Sequence, residues 1–132
     1  MERMLGRFAE IFYALMRFVV GVLFACHGAQ KLLGMFGGVQ GHAVPMWSQF
    51  GFAGEIELIG GLMIALGLFT SIAAFIASGE MAWAYFQVHA PQGPIPLLNR
   101  GELAVVYCFV WLYIASRGSG PYSLDRLLGR RV

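Results

Sequence analysis

From Leu58 to Gly79 the chain carries no charged residue. At a rise of about 1.5 Å per residue, such a run can cross a bilayer's hydrocarbon core, which takes about 20 mostly apolar residues. The remainder is nearly as poor in charge. Of 132 residues, 58% are hydrophobic and 12% charged, and the mean hydropathy is +0.68. A soluble domain carries about 25% charged residues, because its outer shell faces water. Disordered chains are rich in charge and poor in apolar side chains. Both classes are excluded, and the solvent that remains is lipid. The net charge of +2 is too small and scattered to suggest nucleic acid. Cys26 and Cys108 form neither CxxC nor zinc spacing. The length leaves room for one domain, residues 1–132.

Four segments qualify as spans, at about 8–33, 52–69, 72–89 and 100–116. Reading the uncharged stretch as one crossing would give three, but the arginines argue for four. Arg3 and Arg7 stand at the start, and Arg117, Arg126, Arg130 and Arg131 at the end. The connections at 34–51 and 90–99 contain no Lys or Arg. Positive residues stay in the cytoplasm, so both termini are expected there and the number of crossings is even. The expected fold is therefore all-α, an integral membrane four-helix bundle with Thr70 and Ser71 in a tight cytoplasmic turn. The run Leu23–Cys26 loosely resembles a lipoprotein cleavage box. Arg17 within the apolar stretch and the bulky Phe24 argue against cleavage.

The proline-rich connection at 90–99 is expected to be extended and stiff. Residues 121–132 read as an amphipathic cytoplasmic tail, with Ser123 as helix cap and leucines against arginines.

Charges inside a span are costly and usually face a partner. Arg17 lies about 13 Å above the start of the first helix, and Glu80 about 13 Å above Ser71 in the third. Matched in depth and opposite in sign, they are expected to form a structural ion pair; a proton or anion relay is the alternative. Near the outer side, His27 and Lys31 close the first helix, Glu55 and Glu57 open the second, and Glu102 opens the fourth. Glu57 shares a face with Gly54 and Gly61 and is expected to point inward, with Glu55 toward the headgroups. His27, Glu57 and Glu102 could then line one outward-facing pocket, the alternative being a polar seam that satisfies loop backbone. His27 and His89 would differ by roughly 8 Å in depth, so haem held between them is not expected.

Four pieces of sequence resemble the DoxX family: HGAQK at 27–31, EIELIGGLMIALGLFT at 55–70, NRGELAVVY at 99–107 and GSGPYSLD at 118–125. The similarity runs from Arg17 to Asp125. It implies a small multi-pass protein of four helices in a bacterial or archaeal cell (inner) membrane. Members of that family resemble subunits of a thiosulfate:quinone oxidoreductase, or are associated with membrane oxidoreductase complexes handling thiol and oxidative stress. Matching positions are Arg17, His27, Gly28, Lys31, Glu57, Gly61, Asn99, Gly101 and Glu102. Arg100 stands where the pattern leads one to expect a smaller residue.

On this resemblance, the chain is expected to be a membrane-embedded subunit or partner of a quinone-linked oxidoreductase. His27, Lys31 and Asn99 would help bind a quinone or small anion, and Glu57, Glu102 and His27 would handle protons. The redox cofactor would sit on a partner subunit or soluble redox protein, because the sequence offers no ligand set for a metal or flavin. A quinone is the cofactor this chain itself could hold, and self-association is left open. The rival readings are a non-enzymatic scaffold or assembly factor and a small-molecule transporter. Small multidrug-resistance transporters, also four short helices, rely on a first-helix glutamate and a weak charge bias. Here that helix carries arginine and the bias is strong.

Overall fold

A computed structural model describes residues 1–130; Arg131, counted above among the positive residues of the tail, lies outside them. The described residues form helices and no strand. We label the helices α1 (Glu2–Gly6), α2 (Ala9–Leu33), α3 (Gln49–Leu66), α4 (Thr70–Ala84), α5 (Glu102–Arg117) and α6 (Leu124–Leu127). Two of them, α2 and α3, are long and apolar enough by themselves to cross a membrane. The α-helical part of α4 has 15 residues and α5 has 16. A π turn at Tyr85–His89 prolongs α4, and a second π turn, Ile56–Gly60, interrupts α3.

α2 and α3 meet through glycine. A Cβ added at Gly28 would stand 2.3 Å from the Leu58 nitrogen, and one at Gly61 would stand 2.6 Å from that of Ala25. Only a hydrogen on each Cα lets the two backbones approach this closely, which is how helices gain packing where no hydrophobic effect drives them together. α4 and α5 meet differently. Ala73, Ala74 and Ala77 share a core with Tyr107, Trp111 and Ile114, and the Ser78 hydroxyl donates to the Cys108 carbonyl at 2.9 Å. From α2, Phe24 enters the same core, its ring centroid 5.0 Å from that of Trp111.

The α3–α4 turn sits at Gly67–Phe69, and not at Thr70–Ser71 as expected. Gly67 (φ 73°) and Phe69 (φ 46°) are both left-handed, and Thr70 is already helical. The cause lies in the tail. The Asp125 carboxylate accepts from the backbone N–H of Phe69 at 3.1 Å and of Thr70 at 3.4 Å, capping α4. The Asp125 N–H returns a bond to the Gly67 carbonyl at 2.9 Å. The tail is thus partly folded into the protein: Ser119, Ser123 and Asp125 are buried. Ser123 does cap α6, accepting from the Arg126 N–H at 3.3 Å, while Leu127 and Leu128 stay exposed.

The proline-rich connection is compact where an extended one was expected. The N–H groups of Leu98 and Asn99 both donate to the Ile95 carbonyl at 2.9 Å. The Asn99 side chain gathers the segment, donating to the Gly93 carbonyl and accepting from the Gly101 N–H, each at 2.8 Å.

Candidate functional site

The structure does not bring Arg17 and Glu80 together, which corrects the expected ion pair. Arg17 is buried, and its guanidinium donates to the carbonyls of Ile64, of Ala65 at 2.9 Å and of Tyr122 at 2.6 Å. Ile64 and Ala65 stand in the last turn of α3, which ends at Leu66, where carbonyls lose their regular intrahelical partners; the Ile64 carbonyl also accepts from the Gly67 N–H at 3.1 Å. Equal counts from the helix starts misjudged the depth, because the first two turns of α2 project beyond the α3–α4 turn. Arg17 lies level with that turn, whereas Glu80 is ten residues, about 15 Å, up α4.

At the opposite end, His27, Lys31 and Glu57 converge on a cavity of about 270 Å³ between α2, α3, α4 and α5. Lys31 and Glu57 form an ion pair at 2.5 Å. Glu57 is buried, and its second oxygen, Oε2, finds no hydrogen-bond partner. Glu57 belongs to the π turn of α3, one face removed from half-buried Glu55. Wider turns of this kind recur at functional sites because they re-aim side chains that a regular helix would hold elsewhere. The His27 ring stands edge-on to Tyr107, with centroids 6.3 Å apart, and Phe24 and Met81 help form the apolar wall.

Two further basic side chains line the cavity, His89 and Arg100. His89 lies on the π turn of α4, and its Nδ1 is 3.0 Å from the Asn99 carbonyl oxygen. Residue counting had set His27 and His89 apart in depth, but the wide turn and the folded 90–99 segment bring both to one space. Arg100 adopts a left-handed backbone, with φ 61°. For a residue with a Cβ this costs roughly 1–2 kcal/mol, a strain that folded proteins tend to store at working sites. The sequence flagged Arg100 as out of pattern, and that was the available signal. Tyr107 carried none, being one aromatic among many.

The other two expected site residues stand elsewhere. Glu102 is exposed at the start of α5 and does not line the cavity. Asn99 is 1% exposed and spent on Gly93, Gly101 and the Tyr85 hydroxyl, so it shapes the cavity rim and does not face inside. Cys26 and Cys108 are free thiols.

Glu80, withdrawn from Arg17, comes within electrostatic reach of Glu57 and Lys31. Its residue is 8% exposed, and neither carboxylate oxygen has a partner.

The family model that matches the chain is DoxX, over residues 12–90. A Haemophilus influenzae protein, named "Uncharacterized protein", is 41% identical over 92% of this chain and 93% of its own length. The Bacillus subtilis protein named "Putative oxidoreductase CatD" is 29% identical over 88% of this chain and 86% of its own. No solved structure matches the chain significantly. With 79 of its 132 residues under the family model and a 41% identical relative along nearly its whole length, the chain belongs to the DoxX family.

Proposed function

We propose that this chain is a membrane-embedded subunit or partner of a quinone-linked oxidoreductase complex. In this reading α2 to α5 form a four-helix bundle in the bacterial cell membrane. The arginine-bearing ends face the cytoplasm, and the 34–51 and 90–99 connections, which carry no Lys or Arg, face outside. The observation that carries the proposal is the basic cavity around Glu57. Four cationic or basic side chains, His27, Lys31, His89 and Arg100, surround one carboxylate whose second oxygen is unpartnered. Such a set offers donors to an electron-rich carbonyl or a small anion and, at Glu57, a place for a proton. The oxidoreductase part of the reading draws its support from the family and from the printed name of the Bacillus relative.

The pocket is the ligand subsite, and the redox cofactor resides on the partner. The test is purification of the native complex in mild detergent, with co-purifying chains identified and extracted quinone measured. Parallel complementation of a deletion strain under oxidative or sulfur stress uses Glu57→Gln and His27→Gln. The expected result is a co-purifying redox subunit and loss of complementation by both folded variants. Full complementation by the folded double variant, with no redox partner retained, overturns the reading and leaves the scaffold alternative.

A further inference from the structure

A second cavity lies outside the basic one, in the seam between α3 and α4. It has a volume of about 410 Å³ and is walled by Phe52, Ala53, Ile56, Ile76, Gly79 and Trp83. This is within the range of small-molecule sites, about 300–1,000 Å³. Phe52, Ile76, Gly79 and Trp83 are exposed, so in a bilayer the seam opens sideways to lipid. At its floor is Glu80, 8% exposed, with both oxygens unpartnered. Gln49 is the other polar residue of the lining.

A carboxyl group in an apolar groove without a hydrogen bond is expensive. It persists where something on the open side can donate to it. Whatever arrives must come through hydrocarbon, where a charged head is costly and a neutral hydroxyl is not. Phe52 and Trp83 supply flat apolar surfaces for a ring.

We propose that the α3–α4 groove is a binding site for a lipid-soluble molecule of the phenol class, its ring against Trp83 and Phe52 and its hydroxyl donating to Glu80. The site is separate from the basic cavity and does not depend on what that cavity binds.

The experiment uses the purified full chain in lipid nanodiscs, titrated with 4-hexylphenol, its methyl ether 4-hexylanisole, and 4-hexylbenzylamine. The readout is the tryptophan fluorescence change that Trp83→Phe abolishes. The phenol is expected to bind at least tenfold more tightly than the ether, and Glu80→Leu to erase that difference. A side chain added at Gly79 meets no neighbouring atom within 4 Å. Gly79→Leu therefore adds a side chain at the groove wall with no clash at its Cβ, and is expected to abolish the phenol response without lowering the thermal midpoint. His27→Gln, which alters the basic cavity, should leave phenol binding unchanged. Equal binding of ether and phenol overturns the proposal, as does a phenol preference that survives Glu80→Leu. Wild-type binding by Gly79→Leu, or benzylamine binding tenfold tighter than phenol, overturns it too.

Discussion

Both ends of this protein bury charge, and they treat it in opposite ways. Beside the α3–α4 turn, Arg17 meets three backbone carbonyls and Asp125 meets two backbone N–H groups. Apart from the Tyr122 carbonyl, those partners are helix ends, groups that must be satisfied somewhere and cannot move away. At the other end, Glu57 keeps one free oxygen and Glu80 two. The first arrangement holds a shape. The second leaves bonding capacity unused beside a cavity, and the two proposed sites would draw on it.

Removing charge at each end separates the two most sharply. Arg17→Met should cost about 2 kcal/mol or more, since it leaves the buried Ala65 carbonyl without its donor and takes one charged donor each from Ile64 and Tyr122. Glu80→Met should cost nothing or stabilise, because an apolar residue replaces an unsatisfied one. Thermal unfolding in detergent measures both. Stability of the Arg17→Met, Glu80→Met double variant above the sum of the two single effects would restore the ion pair that the structure rejects. Next in size is the glycine seam. Gly28→Leu should cost about 1–3 kcal/mol by forcing α2 from α3, and Gly6→Leu, at a position with open space, should cost nothing. Equal melting of the two would mean that the backbones are not in contact.

Asp125→Ala should lose about 1 kcal/mol, the worth of a helix cap, and Asp125→Ser should regain part of it. The smallest change falls on the cavity side. Arg100→Gly relieves a left-handed backbone and should raise stability by about 0.5 kcal/mol after glycine's own entropy cost. Complementation should fall in the same variant. A variant both more active and more stable would remove Arg100 from the site.

The cavity end was the more legible of the two. The inward face of α3 followed from helical spacing: Gly54, Glu57 and Gly61 are all buried. The gathering of His27, Lys31 and Glu57 followed from antiparallel neighbours meeting at one level. Depth was harder to read, because counting from helix ends assumes that the helices begin in one plane. α2 does not, and the partner of Arg17 was misassigned for that reason. The two π turns have no residue signature, and Glu57 lies in one and His89 in the other. Asp125 was hidden by its setting. Among arginines and leucines it read as one more surface charge, and only the fold brings it to the amide groups of Phe69 and Thr70.

The Arg17 site also sets an order in time. Its first two acceptors are Ile64 and Ala65, and its third, Tyr122, lies 105 residues downstream. Ribosomes add about 5–20 residues per second, so roughly 5–20 s separate the making of the guanidinium from the making of its last partner. During that interval the first helix holds a cation whose final neighbours do not yet exist. Its permanent depth is fixed only as α3 follows it and the tail closes over the turn. The helix made early is locked by a segment made late.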